Sequence, residues 1–260
     1  MAWQWFLLEQ DISSINLQLR VNLCMDIGNT KAKMAVFNAQ GRIEEYSVSA
    51  NPGIRSVRQL WKKFKITGGI ISSTRHLDEK FLQKVNALFP CLILSEKTDV
   101  PIQSEYETPS TLGKDRLAAV VAADAHYKGK SVLVIDIGTC ITYDIISEGI
   151  YRGGNISPGA YLKIKAMHRY TDKLPLVEMV VNDDIMGKST VKALQNGAFY
   201  GTKGEIDSFI RVFNKRLGKL KVILTGGDAS LFAEVLDHKV IVRPHLVLEG
   251  LNEIINYNAA

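Results

Sequence analysis

The sequence predicts an α/β protein built from two copies of one lobe, and three observations carry that prediction. Strand-like apolar runs alternate with helix-like segments along the chain. The segment VNLCMDIGNTKAKMAVFNAQGRI from Val21 and the segment SVLVIDIGTCITYDIISEGIYRG from Ser131 share one plan: an apolar strand, Asp-Ile-Gly, a small polar turn, a second apolar strand and a glycine turn. The composition, 46% hydrophobic and 23% charged over 260 residues, supports a core that needs no staples and excludes a disordered, collagen-like or disulfide-framed chain.

Residues 1–20 stand apart as an N-terminal extension. Met1 to Leu8 is apolar but lacks a basic flank and is closed by Glu9 and Asp11, so it is too short for a membrane span and poor as a signal peptide. From Asn16 the pattern alternates, with Leu17, Leu19, Val21 and Leu23 on one face, which predicts a strand of period two. Each Asp-Ile-Gly segment reads as a β-hairpin, and the unbroken apolar run 132–135 reads as a strand covered on both faces. Helices are expected over 56–64, 78–87, 112–127, 160–170, 191–217 and 229–236, with further strands at 69–73, 92–94 and 222–224. The copies divide the chain into lobes 21–127 and 128–260. A cleft between duplicated lobes is a natural ligand site.

The net charge of +5 is spread thinly. Lys62, Lys63 and Lys65, and then Lys215, Arg216, Lys219 and Lys221, are interrupted by apolar residues without interleaved aromatics. That pattern fits solvated helix faces better than a nucleic-acid surface. Neither nucleic acid nor membrane is expected as a partner. Cys24, Cys91 and Cys140 share no short spacing and read as reduced, buried residues of a cytoplasmic protein. The five histidines have no metal-ligand spacing, and Trp3, Trp5 and Trp61 read as packing or interface residues.

The chemistry concentrates in the two hairpin turns. In Asp-Ile-Gly-Asn-Thr, Gly28 lets backbone approach an anion, while Asn29, Thr30 and the neighbouring amides supply donors to phosphate oxygens. Asp26 ends a buried strand and needs a cation or several donors, a need that Mg²⁺ beside phosphates meets. Lys33, on the outgoing strand, is placed to neutralise a phosphate; the alternative is an ordinary β-turn with Asp and Asn at usual positions. Asp136, Gly138, Thr139 and Thr142 repeat the chemistry in the second copy. Leu224-Thr225-Gly226-Gly227-Asp228 is a strand, a glycine pair and a helix start, fit either for a nucleoside against backbone or for a plain connection. Together these point to ATP held across a cleft and leave the acceptor unnamed.

The duplicated turns and the later Thr-Gly-Gly resemble the superfamily of acetate kinase, sugar kinases and actin. The intervening segments resemble one branch of it, the type III pantothenate kinases: DIGNTKAK at 26–33, YETPSTLGKDR at 106–116, DIGTCIT at 136–142, GGNISPG at 153–159, GKSTVKALQNG at 187–197, TGGDA at 225–229 and LVLEGL at 246–251. The resemblance implies two ribonuclease H-like lobes with a central ATP cleft. It implies an ATP-phosphate loop of Asp26, Ile27, Gly28, Asn29, Thr30, Lys31, Ala32 and Lys33, with Thr139 in the second loop. It makes Asp136 the ligand of a monovalent cation, potassium or ammonium. Tyr106, Gly113, Lys114, Asp115, Arg116 and Thr190 match pantothenate contacts, Thr190 reaching in from a second subunit of a homodimer. Asp115 matches the general base for the pantothenate hydroxyl.

Residue chemistry bears on the last assignment independently. Pro109, Ser110 and Thr111 precede an Ala-rich helix, so Asp115 and Arg116 fall in its first turn, near free amides. An Asp there also simply stabilises the helix dipole, and Arg116 suits a carboxylate, a phosphoryl group or a bridge to another residue. Cys140 stands where the resembled family usually has Ala, and residues 1–15 or so extend beyond its usual start, read as an upstream start or an interface arm. The activity implied is ATP- and Mg²⁺-dependent phosphorylation of pantothenate, the first step toward coenzyme A. The alternatives are a non-catalytic transcriptional accessory protein and a kinase of another small alcohol.

Overall fold

The computed structural model describes residues 20–28 and 30–259. Asn29, Leu17, Leu19, Trp3 and Trp5 lie outside the described residues, as does most of the expected strand from Asn16. The described residues form two units, 20–125 with 245–259 and 126–244.

In the first unit, β1 (Asn22–Ile27), β2 (Ala32–Phe37), β3 (Ile43–Ser49), β4 (Gly68–Ser73) and β5 (Cys91–Ile93) make a sheet of order β3-β2-β1-β4-β5. β1 runs antiparallel to β2 and parallel to β4. Among the described residues β1 begins at Asn22, and nearly every position in it is buried. Alternation marks a half-exposed strand, whereas β1 is central and covered on both faces. Leu23, Met25 and Ile27 pack with Val57 of α1 (Ile54–Phe64), Val85 of α2 (Glu79–Asn86) and the partly buried Trp61. Asn22, of opposite parity, donates its amide to Asn252 Oδ1 at 2.9 Å and Asn256 Oδ1 at 2.8 Å. The lysines that close α1 behave as a solvated face: Lys63 pairs with Glu45 at 2.6 Å.

A two-residue strand β6 (Gln103–Ser104) and a 3₁₀ turn at Pro109–Thr111 lead into α3 (Lys114–His126). This helix is buried from Arg116 to Asp124, which its Ala content permits. The second unit repeats the first sheet. β7 (Val132–Ile137), β8 (Cys140–Ser147), β9 (Ile150–Pro158), β10 (Lys221–Thr225) and β11 (Ile241–Val242) follow the order β11-β10-β7-β8-β9. The antiparallel β7-β8-β9 and the parallel β7-β10-β11 match β1-β2-β3 and β1-β4-β5 strand for strand. Its core joins Leu133, Ile135 and Ile137 to Ile164 of α4 (Ala160–Arg169), Phe199 and Ile206 of α5 (Thr190–Leu217) and Phe232 of α6 (Ala229–Ala233).

The expected lobe boundary changes. Residues 245–259 belong with the first unit, not the second. Their helix, α7 (Leu246–Tyr257), lies against β1, β2 and β4. Leu248, Leu251 and Ile254 are buried there, and Gly250 meets α3 so closely that a Cβ would overlap Ala118 O. A split by chain order misassigns this segment because the cover for one face of the first sheet is supplied by the end of the chain.

Candidate active site

Each unit presents its Asp-Ile-Gly turn at the carboxyl end of its central strand. In the first unit Gly28 N–H donates to Lys31 O at 3.0 Å and closes the hairpin, and a Cβ on Gly28 would sit 3.2 Å from the same carbonyl. Asp26 pairs in register with Lys33 on β2 and with Ser72 on β4. Residues in register share a face, so the carboxylate stands in a row between an ammonium and a hydroxyl. Ser72 is fully buried and its Oγ has no hydrogen-bond partner. Sequence reasoning passed over it, since a Ser in a short apolar strand carries no signal until pairing sets it beside Asp26. The end of β4 is tied to the turn, with Thr74 N–H donating to Ile27 O at 3.1 Å.

The second turn is one residue tighter, with Gly138 N–H donating to Cys140 O at 3.0 Å. Asp136 pairs with Thr142 on β8 and Thr225 on β10, so the polar row of the first unit recurs. Gly226, at φ +95°, lies so close that a Cβ would overlap Asp136 Oδ1 and Ile137 O. Asp228 N–H donates to Ile137 O at 3.1 Å, so the Thr-Gly-Gly-Asp turn is fastened onto the Asp-Ile-Gly turn. Burial pushes the Asp228 carboxyl above its usual range. The GGNISPG segment has a physical reason as well. A Cβ on Gly154 would overlap Tyr143 O and one on Gly159 would overlap Gly138 O, while Gly159 N–H donates to Thr139 O at 3.0 Å. Thr139 and Cys140 are exposed, so this cysteine is not the buried residue expected.

The structure brings Tyr106, Gly113, Asp115 and Arg116 together at the start of α3. Asp115 Oδ1 accepts from Arg116 N–H at 2.9 Å, which folds the carboxylate back over the helix end. A Cβ on Gly113 would lie 2.6 Å from that oxygen, so glycine there makes room for the carboxylate. Arg116 is 5% exposed, and its guanidinium donates to Tyr106 Oη at 3.4 Å and lies 5.6 Å from the ring centre. Lys114 Nζ reaches Pro109 O at 3.5 Å. Thr190 belongs to the second unit, exposed on the first turn of α5, where Ser189 Oγ caps the helix by accepting from Lys192 N–H at 3.3 Å.

Among the described residues no three His, Cys, Asp or Glu side chains form a metal cage. The Asp26 row still suits Mg²⁺, which binds through one or two carboxylates plus phosphates and water. A cavity of about 720 Å³ lies at the other end of β1, lined by Asn22, Gly68, Gly69 and Cys91, away from the Gly28 turn. Both Asp-Ile-Gly turns lie at strand carboxyl ends, the side on which open α/β sheets bind ligands, and this cavity does not.

The family model for type III pantothenate kinase matches residues 22–212. A type III pantothenate kinase of Bacteroides fragilis is 42% identical over 240 residues, 92% of this chain and 98% of the relative. Among solved structures, a Campylobacter jejuni protein described as a candidate Baf family transcriptional activator aligns with TM-score 0.60 and 25% identity, over 91% of this chain and 98% of that one. A candidate N-acetylmannosamine kinase of Listeria monocytogenes, at TM-score 0.51 and 14% identity over 92% of this chain and 99% of that one, shares the fold. With two matching sheets, two Asp-Ile-Gly turns and a close relative along nearly its whole length, the chain belongs to the type III pantothenate kinase family.

Proposed function

We propose that this protein transfers the γ-phosphoryl group of ATP to the primary hydroxyl of pantothenate, giving ADP and 4′-phosphopantothenate, the first step of coenzyme A synthesis. The observation that carries the reading is the α3 start, where Gly113 makes room for the Asp115 carboxylate beside the buried Arg116 and its half-buried partner Tyr106. Asp115 orients the hydroxyl and accepts its proton as the oxygen bonds to the γ-phosphorus and the bond to ADP breaks. A loose transition state asks for position and charge neutralisation more than for a strong base. Arg116 and Tyr106 hold pantothenate, together with Gly113 and Lys114.

The amides of the loop 26–33, with Thr30 and Lys33, and Thr139 in the second turn hold the ATP phosphates. Mg²⁺ at Asp26 and a potassium or ammonium ion at Asp136 supply charge neutralisation for those phosphates. The protein acts as a cytoplasmic homodimer in which the second copy brings its Thr190 to pantothenate. Exposed apolar side chains before and at the start of α5, Val180, Val181, Ile185, Met186 and Val191, support an interface there.

The test is direct. The purified protein with ATP, Mg²⁺, K⁺ and pantothenate is expected to yield ADP and phosphopantothenate, and Asp115→Asn to lose about 10²-fold or more in kcat while still binding nucleotide. Absence of turnover with every monovalent cation tried would return the protein to the non-catalytic, accessory reading. Turnover with other small alcohols that pantothenate does not inhibit would name a different acceptor.

A further inference from the structure

Glu205, in the middle of α5, gathers donors from three other elements of the second unit. Tyr143 Oη on β8 donates to Oε1 at 2.7 Å, and Ser157 Oγ near the end of β9 donates to the same oxygen. Lys163 Nζ on α4 donates to Oε2 at 2.9 Å and to Thr202 Oγ1 at 2.9 Å. Burial works against the Glu205 carboxylate, and the hydrogen bonds from Ser157, Lys163 and Tyr143 outweigh it and hold its pKa below the usual value. Tyr143 and Thr202 are fully buried.

A part-buried ionic cluster is a weak source of net stability, because desolvation offsets most of the attraction. What it does supply is fixed geometry. Ser157 and Lys163 bracket Gly159, whose N–H holds Thr139 O at 3.0 Å and whose carbonyl accepts from Lys163 N–H at 2.9 Å. β8 and β9 stay paired up to the turn, Ile141 with Ser157 and Cys140 with Pro158. Any shift of Ser157 or Lys163 is therefore passed to Gly159, which has no free space against Gly138 O.

We propose that Glu205 is a positioning residue for the second phosphate turn: it anchors Ser157 and Lys163 so that Gly159 holds the Thr139 backbone in place for the nucleotide. The proposal rests on the reading of Gly138–Thr139 as a phosphate turn. Aiming a loop at a ligand from a rigid, hydrogen-bonded support is how sites keep sub-ångström accuracy.

The experiment compares Glu205→Gln and Ser157→Ala with Asp207→Asn, in the full-length protein. Asp207 also lies on α5, accepting from Lys203 Nζ at 2.8 Å and Asp237 N–H at 3.1 Å, a pairing without a link to Gly159. ATP binding is titrated calorimetrically with a non-hydrolysable analogue, alongside KM for each substrate and the thermal midpoint. Loss of a hydrogen bond to a charged group predicts a rise of about five- to tenfold in ATP-analogue Kd and ATP KM for Glu205→Gln, and about threefold for Ser157→Ala. Pantothenate KM stays at the wild-type value in both. Asp207→Asn lowers the midpoint and leaves ATP KM unchanged. If Glu205→Gln does not fold, Ser157→Ala decides. Variants that lose thermal stability with ATP affinity untouched overturn the positioning role. Thr139→Asp separates the two levels: undiminished ATP binding in that variant overturns the phosphate-turn reading itself, and the proposal with it.

Discussion

Glycines at the second turn show how single residues set the site. Gly226 has φ +95° and no room for a Cβ, whereas Gly227, next to it, has nothing within 4 Å of where a Cβ would stand. Gly226→Ala is therefore expected to lower the unfolding free energy by about 2 to 4 kcal/mol, from backbone strain and overlap together. Gly227→Ala should stay within about 0.5 kcal/mol of the parent. Urea unfolding of the two variants checks the pair, and equal losses would remove the argument that this turn is fastened onto Asp136. The same scale explains what the sequence hid. Asp26, Asp115 and Asp136 stand in recognisable patterns, but Ser72 and Glu205 do not, because a hydroxyl or a carboxylate in a strand or helix acquires meaning only from neighbours on other elements.

At the scale of elements, the central hairpins were legible because strand, glycine turn and strand are consecutive and written twice. The helices were legible to within a few residues: those expected over 78–87 and 191–217 form as α2 and α5, ending where Ala87 and Gly218 cap them. The C-terminal helix was not read as an element at all, since only a short motif within it drew notice. It carries a polar residue into the interior, Asn252 at 2% exposure, and the reason appears only when Asn22 is set opposite. Asn252→Ala leaves part of the Asn22 amide unsatisfied and is expected to cost about 1 to 3 kcal/mol. The double variant with Asn22→Ala should cost less than the sum of the singles. A strictly additive cycle would show that the amide pair does not fasten α7 to β1.

For the molecule as a whole, the ionisable cluster around Glu205 makes folding pH-dependent in a stated direction. The Glu205 pKa is lowered from 4.5, so its contribution is present above that value and is lost as the pH falls through the folded pKa. Tyr143, raised from 10.0 by burial first and by its bond to Glu205 second, contributes below that value, and the contribution is lost as the pH rises past it. Chemical denaturation across pH is expected to show a plateau between about pH 5 and 9 with falls on both sides. In Tyr143→Phe the alkaline fall should be smaller.

Length, composition and the repeated Asp-Ile-Gly plan were enough to determine an α/β chain of two related units, each with an Asp-Ile-Gly hairpin turn, because local patterning and duplication are properties of the sequence order itself. Which residues flank each carboxylate, which unit the last helix completes and what holds the Thr139 turn in place were decided only by the tertiary structure. Those relations are made by strand register and by close backbone approach between segments far apart in the chain, and neither leaves a mark in local sequence.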